Sequence, residues 1–181
     1  MELRLRRPFN DKRPAVHASL VFIFLLSSSC ALLNPNPNRA HAKETPALVL
    51  KPFTTDYCSE WPDGKMNNPK QWANCCFNHD IHYWIGGTEE QRKASDLELK
   101  ECVKMTGESL GSFLMYTGVR IGGRPGNTRW AWGYGWTLDR EYFELKNDDK
   151  MNAAKLLRES KHNKDADEKK IINTFIEKNL N

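Results

Sequence analysis

Cys75 and Cys76 stand side by side, with Cys58 before them and Cys102 after, and this arrangement restricts the folds open to the chain more than any other feature. If these cysteines are oxidised, their pairing has few solutions. A bridge between neighbours strains the peptide bond that joins them, so Cys75 and Cys76 are expected to reach different, distant partners. Either Cys75 meets Cys102 while Cys58 meets Cys76, or Cys58 meets Cys75 while Cys76 meets Cys102. In both cases one short segment is stapled to two others.

Whether they are oxidised depends on the compartment, which the N-terminus addresses. Residues 1–17 are rich in Arg and Lys, and the 16 residues from Ala18 to Leu33 form an apolar run. Asn34-Pro35-Asn36-Pro37 then breaks any helix, and Ala40-His41-Ala42 has the small-x-small form of a signal-peptidase site. The run falls short of the ~20 residues a membrane span needs, which disfavours a retained anchor. Residues 1–42 therefore read as a signal peptide and the remainder as secreted or periplasmic. Cys30 is the residue type a lipoprotein signal requires, but Leu26 lies four places before it and not the usual three, so anchoring through Cys30 is not favoured. In an oxidising compartment the even set that remains is expected to be bridged.

Export also changes the meaning of the charge. The chain carries 27 Lys and Arg against 23 Asp and Glu, a net +4. Six of those bases and two of the acids precede Lys43, which leaves 21 of each. A neutral mature protein has no strong field for phosphate polymers, so nucleic acid is not an expected partner.

Periodicity and punctuation predict a helical hairpin around the cysteine pair. Asn68-Pro69 suits a helix start, since Asn caps and Pro fits the first turn. The stretch Lys70 to Ile85 holds no Pro or Gly and ends at Gly86-Gly87, a stop signal. Thr88-Glu89-Glu90-Gln91 has the form of a capping box, opening a second helix that runs to about Met105. Leu97, Leu99, Val103 and Met105 offer it apolar surface. Two helices joined by so short a turn lie antiparallel. In such a hairpin, residues level with each other straddle the turn equally. The midpoints of Cys75 with Cys102 and of His79 with Asp96 both fall beside residue 88. One geometry thus levels a cysteine pair and a His–carboxylate pair, favouring Cys75–Cys102 and, by exclusion, Cys58–Cys76.

Cys75-Cys76-Phe77-Asn78-His79-Asp80-Ile81-His82-Tyr83, a CCxxHDxxY pattern, resembles the active-site helix of secreted phospholipase A2. Asp96 and Cys102 are spaced as on the partner helix of that family, and Cys58-Ser59-Glu60-Trp61-Pro62-Asp63 resembles the calcium loop of its small bacterial and fungal branch. The likeness covers about residues 57–105. It implies a calcium-dependent hydrolase of glycerophospholipid acyl esters. His79 would be the general base that takes a proton from water, Asp96 the orienter of its ring, and Tyr83 a hydrogen-bond donor to that carboxylate. Asp80 would bind calcium, with Asp63 and the Gly64 carbonyl as further oxygen ligands. The family's vertebrate-type calcium loop is glycine-rich, whereas Ser59-Glu60-Trp61-Pro62 is not. Physical chemistry supports these roles independently: histidine titrates near neutrality, and His79 and Tyr83 at i and i+4 share a helix face while Asp80 points about 100° away.

Other readings of the same residues exist. Cys75, Cys76, His79 and His82 are zinc-ligand types at helical spacing, but export and the unused Cys58 and Cys102 argue against zinc. His79 and Asp80 could be polar surface residues, were their partners not coincident; His82 lies off the shared face and has no expected role. An Asp-Gly after Pro is also a turn signal, which gives Asp63 a purely structural alternative.

Beyond the hairpin, Ser109 to Val119 reads as a short apolar helix broken by Gly111 and Gly118, followed by a loop at Gly122-Gly123-Arg124-Pro125-Gly126. Trp130, Trp132, Tyr134 and Trp136, interleaved with glycine, are expected to lid the core; contact with a lipid interface is the second reading. Tyr142, Phe143 and Leu145 are expected to close the core and Asn147-Asp148-Asp149 to mark a boundary. Met151 to Glu159 and Asp167 to Lys178 read as short helices. The stripe Ile171, Ile172, Phe175 and Ile176 is suited to docking on the core or on a protein partner. The expected fold is mostly α: a disulfide-linked antiparallel helix pair, an irregular Gly/Trp-rich segment and C-terminal helices. The organisation is a signal peptide over 1–42, a phospholipase A2-like domain over 43–146 and a helical extension over 147–181. Two other function classes stand beside the enzyme: a non-catalytic, toxin-like lipid- or protein-binding module, and a structural envelope protein.

Overall fold

The computed structural model describes residues 47–181. The signal peptide over 1–42 and the Cys30 question lie outside them. The described chain forms five helices: α1 (Ala73–Ile85), α2 (Glu89–Met105), α3 (Ser109–Gly122), α4 (Asn147–Glu159) and α5 (Ala166–Asn179), with a 3-10 turn at Lys161–Lys164. Among the described residues there is no strand beyond two isolated bridges, and no helix is long and apolar enough to cross a membrane.

α1 and α2 form the hairpin. Gly86, at φ 74°, takes the left-handed conformation that stops α1. Thr88 then caps α2: Thr88 Oγ1 accepts from Gln91 N–H while Gln91 Oε1 accepts from Thr88 N–H, which completes the capping box. The bridges are Cys75–Cys102 and Cys58–Cys76. Closing loops of this size contributes about 3 kcal/mol each. With Cys75 and Cys76 both in disulfides, the zinc reading falls away.

The first helix does not start at Asn68-Pro69. Residues 69–72 form turns, and α1 begins only after Trp72. The reason lies in the preceding loop. Trp72 N–H donates to the Asp63 carbonyl (3.0 Å) and its indole donates to the Pro62 carbonyl (2.5 Å), so donors of this segment are drawn away from the helix axis. α3 is likewise not broken by its glycines. It runs unbroken through Gly111 and Gly118 because packing on α2 offsets the roughly 1 kcal/mol that each glycine costs.

α1 lies at the centre of the described residues. One face, with Phe77, Ile81, Trp84 and Ile85, meets Leu157 of α4 and Ile172, Phe175 and Ile176 of α5. Burying each such side chain is worth about 1.5–3 kcal/mol. The C-terminal apolar stripe is thus used inside the core, and Asn147, Asp148 and Asp149 form the first turn of α4, where acids meet the positive helix end. The opposite face of the hairpin, with Leu99 and Val103, packs against Met115 of α3. Leu97 and Met105, expected to contribute there, are exposed.

The Gly/Trp segment explains itself through the end of α1. A helix terminus leaves carbonyls without partners. Here Gly133 N–H donates to the Tyr83 carbonyl (2.7 Å), Gly135 N–H to that of Trp84 (3.0 Å) and the Trp136 indole to that of Ile85 (2.8 Å). A side chain at Gly135 would collide with Trp84, so only glycine allows this approach. Trp132 and Trp136 are buried, as expected of a lid. Phe143 and Leu145 pack against the core, but Tyr142 is exposed.

Candidate active site

His79 on α1 and Asp96 on α2 face each other across the hairpin, with Nε2 and Oδ1 2.9 Å apart. His79 is 6% exposed and Asp96 0%. Tyr83, one turn after His79, donates its hydroxyl to the same Oδ1 (2.7 Å), and its ring lies 4.2 Å from the imidazole. The geometry requires the His79 proton on Nε2, so that Nδ1 carries the free lone pair.

Two arginines that sequence reasoning did not single out complete the arrangement. Arg120 of α3 donates to Asp96 Oδ2 (2.7 Å). Arg92 is buried beside it and donates to the Tyr83 hydroxyl (3.2 Å), to the Tyr142 hydroxyl (3.0 Å) and to the carbonyls of Val119 and Arg120. Burial pushes the Asp96 carboxyl up, but the bond and charge of His79, with bonds from Arg120 and Tyr83, outweigh it and hold it below the usual carboxylate value. Burial and Asp96 push the Tyr83 hydroxyl up, so it stays protonated and donates. Gly123 sits where a Cβ would strike that hydroxyl, which makes the Gly122-Gly123 turn part of the site's construction. Arg92 was legible in principle, four residues before Asp96 on one helix face. Arg120 carried no such signal.

Asp80 is also buried, and its carboxyl accepts from Thr55 Oγ1 (2.5 Å). Burial pushes it well above the usual carboxylate range; Thr55 works against this, and the nearby carboxylates Asp56 and Asp63 add to it. No Lys or Arg forms an ion pair with it among the described residues. Asp63 Oδ1 accepts from Cys58 N–H (3.1 Å), and Gly64 is packed so closely on residues 68–71 that a Cβ there would overlap the Asn68 carbonyl. Among the described residues no three His, Cys, Asp or Glu side chains converge as a metal cluster.

His79, Asp80 and Tyr83 open onto a cavity of about 400 Å³ whose walls come from the loop after Tyr57, from Trp130 and from the Leu114, Met115, Gly118 and Gly122 face of α3. Most of that lining is apolar. His82 is not part of it: it packs edge-on against Phe175 at 4.7 Å, and burial, then its neighbour His79, pushes it down to about 3. It is a partly buried histidine of the α1–α5 contact, with Nε2 3.6 Å from the Glu98 carboxylate. No protein-family model, curated protein or solved structure matches this chain.

Proposed function

We propose that the protein is an exported, calcium-dependent hydrolase of glycerophospholipid acyl esters of the phospholipase A2 type. The observation that carries this reading is the buried His79–Asp96 pair opening onto a largely apolar cavity. A base with one nitrogen tied to a carboxylate and the other free is equipped to deprotonate water. Water oxygen would add to the ester carbonyl as its proton passes to Nδ1. Asp96 stabilises the imidazolium that results. The proton then leaves with the alcohol oxygen as the carbon–oxygen bond breaks, giving a fatty acid and a lysophospholipid.

A buried carboxyl with no basic partner, close to the carboxylates of Asp56 and Asp63, has the oxygen chemistry a hard cation takes. Asp80, with Asp63 and the Gly64 carbonyl, would hold calcium, whose chemistry is to polarise an ester carbonyl and bind a phosphate. An exposed apolar stripe on α3 (Leu110, Phe113, Leu114 and Ile121), of which Leu114 lines the cavity, is the surface a lipid interface would meet.

The deciding experiment is fatty-acid release from mixed phospholipid vesicles by the oxidised protein, with calcium and with chelator. Release that chelation abolishes is expected. Release indifferent to chelation would remove calcium from the reading, and none from a folded protein offered several lipid classes would favour the non-catalytic module. A second expected result concerns the cavity wall. A Cβ at Gly118 would meet nothing within 4 Å, and Gly→Leu in a helix gains about 1 kcal/mol. Gly118→Leu should therefore fold at least as well as the parent while losing about tenfold in turnover of long-chain lipids, if one or two methylenes of pocket are blocked. Unchanged turnover, with the thermal midpoint held or raised, would exclude this cavity as the acyl site.

A further inference from the structure

We infer that Glu168 of α5 is a positioning residue for the site, acting through Tyr57. The consequence for turnover rests on the lipid-hydrolase reading; the mechanical link does not. Tyr57 hydroxyl donates to Glu168 Oε1 (2.5 Å) across 111 residues of chain, and His162 Nδ1 lies 2.8 Å from Glu168 Oε2. His162 is buried against the rings of Phe53 and Phe77, with centroids 5.6 and 5.3 Å away. Glu168 is its hydrogen-bond partner, and the other ring nitrogen is buried without one among the described residues. The carboxylate is therefore held from behind and aims at Tyr57.

At the other end, Tyr57 begins a strained loop. Tyr57 (φ 62°) and Ser59 (φ 47°) are both left-handed, a conformation that L side chains adopt only where surroundings impose it. The contacts that hold it include the Glu168 bond, the Cys58–Cys76 bridge, Tyr57 N–H donating to Thr55 Oγ1 (2.9 Å), Cys58 N–H donating to Asp63 Oδ1 (3.1 Å) and Ser59 Oγ donating to Asp56 Oδ1 (2.7 Å). That same Thr55 hydroxyl donates to Asp80. The Tyr57 side chain also lines the cavity with His79 and Asp80. One bonded chain thus runs from α5 through Tyr57 and Thr55 to the Asp80 carboxyl. The C-terminal helices set the placement of that carboxyl and of one cavity wall.

Tyr57→Phe tests this because it deletes one oxygen and keeps the ring. Amide hydrogen exchange across residues 55–63 should rise about tenfold, the scale of one lost bond to a charged group, with α1 and α5 unchanged. Glu168→Gln, which keeps an acceptor, should give a smaller rise. Ile176→Val, which trims α5 packing two turns beyond Glu168, should leave the loop as it is. In the vesicle assay Tyr57→Phe should lower kcat about tenfold with KM nearly constant. Faster loop exchange with no fatty acid from the parent protein would leave the strut standing and sink the hydrolase reading. Unchanged loop exchange in Tyr57→Phe, equal loosening in Ile176→Val, or a loosened loop with unaltered kcat would each overturn the positioning role.

Discussion

His79→Gln should lower fatty-acid release by about a thousandfold, within the range that a positioned general base supplies. Glutamine can still donate an amide N–H toward Asp96, so the Asp96 bonds to Tyr83 and Arg120 persist and the fold survives. What is lost is the lone pair on Nδ1. What glutamine gives up in packing is the imidazole's contact with the Tyr83 ring, so the thermal midpoint should fall by only a few degrees, about 1 kcal/mol for a domain of this size. Initial rates on anionic and zwitterionic vesicles, with circular dichroism as the fold control, make the measurement. A rate within about twofold of the parent would mean that the proton goes elsewhere, because loss of a general base costs about a hundredfold at the least.

Asp96→Asn has the largest expected effect on stability. Among the described residues, Asp96 is the one carboxylate that faces both the Arg120 guanidinium at 2.7 Å and the buried Arg92 at 4.0 Å. Removing its charge leaves the buried Arg92 without a counter-ion and breaks the ion pair of the partly exposed Arg120, which together cost about 3–5 kcal/mol. The pH dependence gives a second signature. Asp96 has a folded-state value held below its unfolded one by His79, Arg120 and Tyr83 against the effect of burial. A depressed carboxylate contributes stability that is fully present above the unfolded value, about 4, and is lost as pH falls through the folded value. The gap between parent and Asp96→Asn should therefore be widest near neutrality and shrink below about pH 4. Urea unfolding at pH 7 and pH 3 would show it. A gap below about 1 kcal/mol at neutral pH would mean that the arginines find their compensation in backbone carbonyls and need no anion.

Local signals explain why the hairpin was readable. Gly86 and the Thr88–Gln91 capping box act within a few residues, so their effect does not depend on the remainder of the chain. Helical spacing then levels Cys75 with Cys102 and His79 with Asp96, and both pairs meet. Misreadings occurred where tertiary contacts overrode local preference. Asn68-Pro69 has good capping chemistry, yet Asp63 and Pro62 hold Trp72 and delay the helix. Gly111 and Gly118 look like breaks, yet α3 is carried through them by packing on α2.

Sequence alone determined the helical hairpin, the bridged cysteines and the His79–Asp96–Tyr83 grouping, because each depends on periodicity and on one short turn. Tertiary structure decided what surrounds that grouping. Arg120, Thr55 and the Tyr57–Glu168–His162 strut reach the site across 24 to 111 residues. No periodic pattern connects positions so far apart. Their meeting depends on how α3 and α5 pack on the hairpin, a property of the whole core and not of any one segment of it.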